Sequence, residues 1–137
     1  MRQRHKILFL AALVGALLAT AQAFEPAINY ALHCMGCHTP DGSAVPGRVP
    51  SIRTTLLAFA GMPAGRQFLV QVPGSAQSAL SNAELAELLN WMIQNLSSEP
   101  GRNDYTRFTE KEVADYRTHV VVDVRATRER LLAAIQP

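Results

Sequence analysis

Two cysteines and two histidines fall within the six residues from His33 to His38, in the stretch HCMGCHTPDG. Four chemistries use such side chains. A C-x-x-C pair serves as a redox dithiol in thioredoxin-like folds. Thiolates and imidazoles together build half of a structural zinc site. Two thiols in an exported protein oxidise to a disulfide. The sequence C-x-x-C-H is also an attachment site for c-type haem. Here the order is Cys34, Met35, Gly36, Cys37, His38. Two intervening residues let one helical turn carry both thiols to the two vinyl groups of a haem. The next residue, His38, is then directed at the iron as its proximal ligand.

The other readings need more than this chain offers. A dithiol wants a βαβ context, whereas the flanks here read as helix and loop. Zinc wants four ligands, and beyond the N-terminal leader the remaining histidines are His33 and His119. A bridge from Cys34 to Cys37 would close a very small loop and stabilise little. Haem attachment is the favoured reading: one haem c per chain, held by Cys34, Cys37 and His38.

The elements that must position these residues begin with a leader. Residues 1–23 carry Arg2, Arg4 and Lys6, then the uncharged apolar run ILFLAALVGALLA, then Ala21, Gln22 and Ala23. That order is a secretory signal peptide with cleavage before Phe24. Its apolar run is shorter than the roughly 20 residues of a membrane span, so no stable span is expected after cleavage. Export places the protein in an oxidising compartment, the periplasm if the host is Gram-negative. The full chain has 13 Lys+Arg and 11 Asp+Glu. Without the leader's three basic residues it carries ten basic against eleven acidic residues, a formal charge of −1. The basic balance therefore belongs to the leader, and no basic patch with interleaved aromatics points to nucleic acid.

Residues 24–96 read as a compact core and 97–137 as a C-terminal extension. EPAINYALHCMGCH opens with Pro26 in a first helical turn and reads as a short helix running into the cysteines. TPDGSAVPGRVPS is a loop by its Pro, Gly, Ser and Asp content. GMPAGRQFLVQVPG predicts a helix from Pro63 that ends at the closing Pro-Gly, although the apolar run also suits a strand. LSNAELAELLNWMIQNL has Ser81 as N-cap, Glu84 completing a capping box, and one apolar face of Leu85, Leu88, Leu89, Met92 and Leu96. In the extension, Thr109 caps a helix carrying Val113 and Tyr116, VVVDV is ambiguous, and VRATRERLLAAI is a final amphipathic helix. Its acidic and basic residues, seven of each, interleave as on a solvated surface. The predicted class is all-α.

On these residues the core resembles the class I c-type cytochromes. YALHCMGCHTPDGSAVPG and LSNAELAELLNWM carry the likeness, which covers about residues 28–96. It implies a helical fold around one covalently bound haem, with the first and last helices of the core crossing. The extension lies outside the minimal family. A methionine from the loop before the last core helix normally binds the distal face of the iron, but that loop, VPGSAQSALS, has neither methionine nor histidine. Met62, in a Met-Pro pair, is the leading substitute; Met92 and His119 are the others. The alternative is an iron with no strong distal ligand, its open side lined by Ser75 and Gln77. Arg48 and Arg66 are candidate partners of the haem propionates, and Trp91 is expected on the haem or the first helix.

With no catalytic constellation in view, the resemblance implies an electron carrier rather than an enzyme. Its partners would be a periplasmic dehydrogenase and an oxidase or another cytochrome. The same residues leave two alternatives. One is a five-coordinate haem protein that binds small ligands, with weak peroxidase activity. The other is a cytochrome subunit of a larger dehydrogenase, docked through the extension.

Overall fold

A computed structural model describes residues 24–47 and 49–135. The expected leader and Arg48 lie outside the described residues. Among those described there are helices and no β-strand, with one isolated bridge between Val45 and Val49. The all-α expectation holds at that level. The helices are α1 (Pro26–His33), α2 (Leu56–Ala60), α3 (Pro63–Gln71), α4 (Pro73–Ala76), α5 (Asn82–Leu96), α6 (Glu110–Tyr116) and α7 (Val124–Ile135). None is long and apolar enough to cross a membrane.

Local chemistry sets most of the boundaries. Proline stands in the first turn of α1, α3 and α4, where its missing N–H costs nothing. The segment from Pro63 is a helix rather than a strand, and Pro73 restarts a further turn where the sequence suggested only an end. Ser81 and Glu84 form the expected capping box of α5: the Ser81 hydroxyl accepts from Glu84 N–H, and the Glu84 carboxylate accepts from Ser81 N–H at 2.8 Å. Thr109 caps α6 by accepting from Glu112 N–H. In the stretch VVVDV, residues 120–123 are irregular and Val124 begins α7, and Val122 is fully exposed.

α5 is the spine. Leu85, Leu88, Leu89, Ile93 and Leu96 are buried along it. α1 crosses it where Tyr30 meets Trp91, ring centroids 5.7 Å apart. α2 and α3 pack closely because Gly65 has no side chain. A Cβ there would lie 2.3 Å from the Phe59 carbonyl oxygen. The approach brings Phe59 edge-on to Phe68 at 5.7 Å, and Leu131 of α7 completes that cluster.

The extension is built into the same core. Phe108 and Val113 belong to the buried cluster that holds Tyr30, Leu56 and Leu85. Asn90 of α5 accepts from Phe108 N–H at 2.8 Å and donates to the Phe108 carbonyl at 3.0 Å. Glu99 caps α2 by accepting from Leu57 N–H and Ala58 N–H at 2.8 and 3.1 Å. Arg117 donates to the carbonyls of Ala76, Ser78 and Leu80 and so ties α6 to the segment before α5.

Arg66 is a buried cation with five hydrogen bonds. Its guanidinium pairs with Glu112 at 2.5 and 2.6 Å and donates to the carbonyls of Ala60, Thr106 and Arg107. It also lies 3.9 Å from the centre of the Phe108 ring. Removing one member of a buried pair strands the other charge. Arg66→Met is therefore expected to cost about 3–5 kcal/mol of stability, read as a lower urea midpoint. Adding Glu112→Leu to that variant should recover part of the loss, because no charge is then stranded.

Candidate functional site

α1 does not stop cleanly at His33. Cys34 N–H donates to the Tyr30 carbonyl at 2.9 Å, and the N–H groups of Cys37 and His38 donate to the Cys34 carbonyl at 3.1 and 2.9 Å. The two cysteines and His38 thus sit on one continuing turn. Tyr30 anchors the far end of that turn, its hydroxyl donating to the Thr39 carbonyl at 2.7 Å. Burial pushes the Tyr30 phenol up to about 12, with the Cys34 and Asp41 charges adding to it, so it stays a donor.

The loop after His38 is tied by side chains. Asp41 accepts from the hydroxyls of Thr39 and Ser43, both at 2.8 Å, and from Arg53 at 3.0 Å. Gly42 turns the chain with φ 75°, a conformation that disfavours any side chain. A Cβ there would also meet Ile52 at 2.9 Å.

Cys34, Cys37 and His38 line one cavity of about 280 Å³. Its walls are mostly apolar. Ile52, Leu56 and Phe59 come from α2 and the turn before it, and Phe68 and Leu69 from α3. Leu85, Leu88, Leu89 and Met92 come from α5. Val124 and Arg128 of α7 close another side, and among the described residues no Asp or Glu lines the space. His38 Nδ1 is buried without a hydrogen-bond partner. Burial pushes the imidazole below its ordinary pKa, which favours the neutral form that binds metals.

Both thiols are free. Burial, reinforced by the Cys37 charge, pushes the Cys34 thiol up to about 11. A redox dithiol works through a lowered thiol pKa, so Cys34 lacks that activation. Among the described residues, no group of three or more His, Cys, Asp or Glu side chains is placed to hold a bare metal ion. The donor set fits a haem in a different way. Two free thiols, an imidazole with an unused buried nitrogen and an apolar chamber meet at one place.

The structure brings together some of the residues singled out by sequence and separates others. His33 and Ser75 line the same cavity, whereas Gln77 does not. Met92 lines it, buried on α5. Met62 does not. It precedes the first turn of α3, its Cγ lies against Gly65, and it lines a separate groove with Gln67, Val121 and Leu131. His119 is exposed beside the Thr118 hydroxyl at 2.8 Å. Arg66 is consumed by Glu112 and carbonyls and does not line the cavity. Sequence reasoning missed Val124 and Arg128 as cavity residues. Their spacing of four puts them on one face of α7, but spacing does not say which chamber a face meets.

No protein-family model, curated protein or solved structure matches the chain.

The Asp41 knot carries a pH signature. Hydrogen bonds from Ser43 and Thr39, helped by the Arg53 charge, hold its carboxyl down at about 2, against about 3.9 in an unfolded chain. A depressed carboxyl contributes stability that is full above about pH 4 and disappears as pH falls through about 2. Urea midpoints measured down that range should show the loss in the wild type and a shallower one in Asp41→Asn. Identical acid limbs would contradict this role for the knot.

Proposed function

We propose that this chain holds one haem c, attached through thioethers at Cys34 and Cys37 with His38 on the iron, and that it works as an exported one-electron carrier. The single observation that supports this most is the meeting of the three motif residues at one acid-free, apolar cavity. Bound there, the group would supply a one-electron ferric/ferrous couple.

The protein's part is to hold, shield and expose. Cys34 and Cys37 would fix the group so that it cannot be lost outside the cell. The turn closed on the Cys34 carbonyl aims His38, and the Tyr30 hydroxyl anchors the residue after it. The apolar walls from α2, α3 and α5 keep water away and disfavour the extra positive charge of ferric iron, which raises the potential. The cavity is smaller than typical small-molecule pockets of about 300–1,000 Å³, so one edge of a macrocycle would stay at the surface. Cys37 is exposed on that turn, and Leu32 and Met35 beside it are exposed and apolar. That edge is the natural contact for a redox partner: a periplasmic dehydrogenase, an oxidase or another cytochrome.

A second reading has its own observation. Met62 lies off the cavity, and the methionine that lines it, Met92, is packed among the α5 leucines. A haem with no strong distal ligand would bind small molecules and carry weak peroxidase activity.

Chain exported in a host that attaches c-type haem should show a single reversible one-electron wave in a spectroscopic redox titration. The Cys34→Ala/Cys37→Ala variant should show none. A wild type without haem absorption would overturn the proposal. A ferrous form that binds carbon monoxide quickly would favour the second reading, and a low-spin form that resists it would favour the carrier.

A further inference from the structure

Among the described residues, the one guanidinium lining the cavity comes from the C-terminal extension. Arg128 lines the chamber one helical turn after Val124. Among the described residues it makes no ion pair with a carboxylate. The neighbouring Arg130 is used within its own helix, donating to the Ala126 carbonyl and the Thr127 hydroxyl. The other arginines of the interior are likewise engaged: Arg66 with Glu112 and three carbonyls, Arg117 with a row of carbonyls.

We propose that Arg128 is the counter-charge for a carboxylate of the bound cofactor, a haem propionate, and that the extension thereby forms part of the cofactor site. The inference rests on the haem reading and deepens it. A cation withdrawn from water is costly unless it is paired. No acidic side chain lines the cavity to pair it. Arg128 is partly buried beside this chamber, and a haem held there would bring two carboxylates to meet its charge. A planar guanidinium binds a carboxylate through two parallel N–H donors. Partial burial pushes the pKa of this arginine below its ordinary value, the direction expected of a cation partly removed from water with no anion beside it. Val124 and Leu131 hold the helix in place from the same side, one lining the chamber and the other buried against Phe59 and Phe68.

The test uses the full chain with haem attached, as wild type, Arg128→Gln and Arg128→Lys, with the reduction potential measured across pH. Without the guanidinium, the propionate should hold its proton about tenfold more tightly. The pH-dependent step in potential should then move upward by about one pH unit in Arg128→Gln. Above the step the potential should fall below the wild-type value, because an uncompensated carboxylate favours ferric iron. Arg128→Lys, which keeps the charge but loses the fork, should lie between. Unchanged titrations in both variants would overturn the assignment. Equal displacements in both would also overturn it, since they would report packing rather than charge. A wild type without attached haem would overturn this inference and the proposed function together. Haem attached with no displacement would overturn this inference alone.

Discussion

The buried guanidinium of Arg66 fixes the relation between core and extension. It sits on α3, yet every partner it has apart from the Ala60 carbonyl lies between Thr106 and Glu112. A cation in such a place tolerates little movement, because any shift leaves a charge or a carbonyl unpaired. The Phe108 ring lies beneath it, and the Phe108 backbone is locked by two hydrogen bonds to Asn90. α3 and α6 are therefore held as one unit on α5. With α6 placed, Arg117 and the Gln71–Tyr116 and Gln71–Val121 hydrogen bonds direct the chain back along α3. α7 then has one place to go, against Phe59 and Phe68, and its Val124–Arg128 face meets the cavity.

The same geometry explains why Cys34, Cys37 and His38 border a chamber although Met35 and Cys37 are also exposed. α1 is short, exposed over Ile28 and Leu32, and buried mainly through Asn29 and Tyr30. Tyr30 does two jobs at once: its ring packs on Trp91, and its hydroxyl holds the Thr39 carbonyl. The turn between those two anchors is the C-x-x-C-H segment. Leu85, Leu88, Leu89 and Met92, buried on the apolar face of α5, line the space beside His38.

Much of this is legible in the sequence, and what is not has a common cause. The helix starts at Pro26, Pro63, Ser81 and Thr109 are local events, set by a missing N–H or a capping oxygen, and reading them needs only neighbouring residues. The packing of Trp91 on α1 likewise comes from which faces are apolar. Met62 is different. Its Met-Pro neighbourhood suits a distal ligand, but the close approach that Gly65 allows turns it into the Phe59–Phe68–Leu131 side of the fold. Arg66 and Arg128 are different for the same reason. Each is an arginine on a helix, and what it meets lies far along the chain: Glu112 for one, the chamber beside His38 for the other. Spacing gives the face of a helix, and only tertiary contacts give what that face meets.

Everything proposed for this chain turns on whether the cavity beside His38 holds a haem bonded to both cysteines. Intact-mass and peptide-level mass spectrometry answers that, applied to the exported chain made in a host with c-type haem attachment. One haem's added mass is expected, located on the peptide that carries Cys34 and Cys37, with no free thiol left. The bare polypeptide mass, with both thiols free or joined to each other, would contradict it.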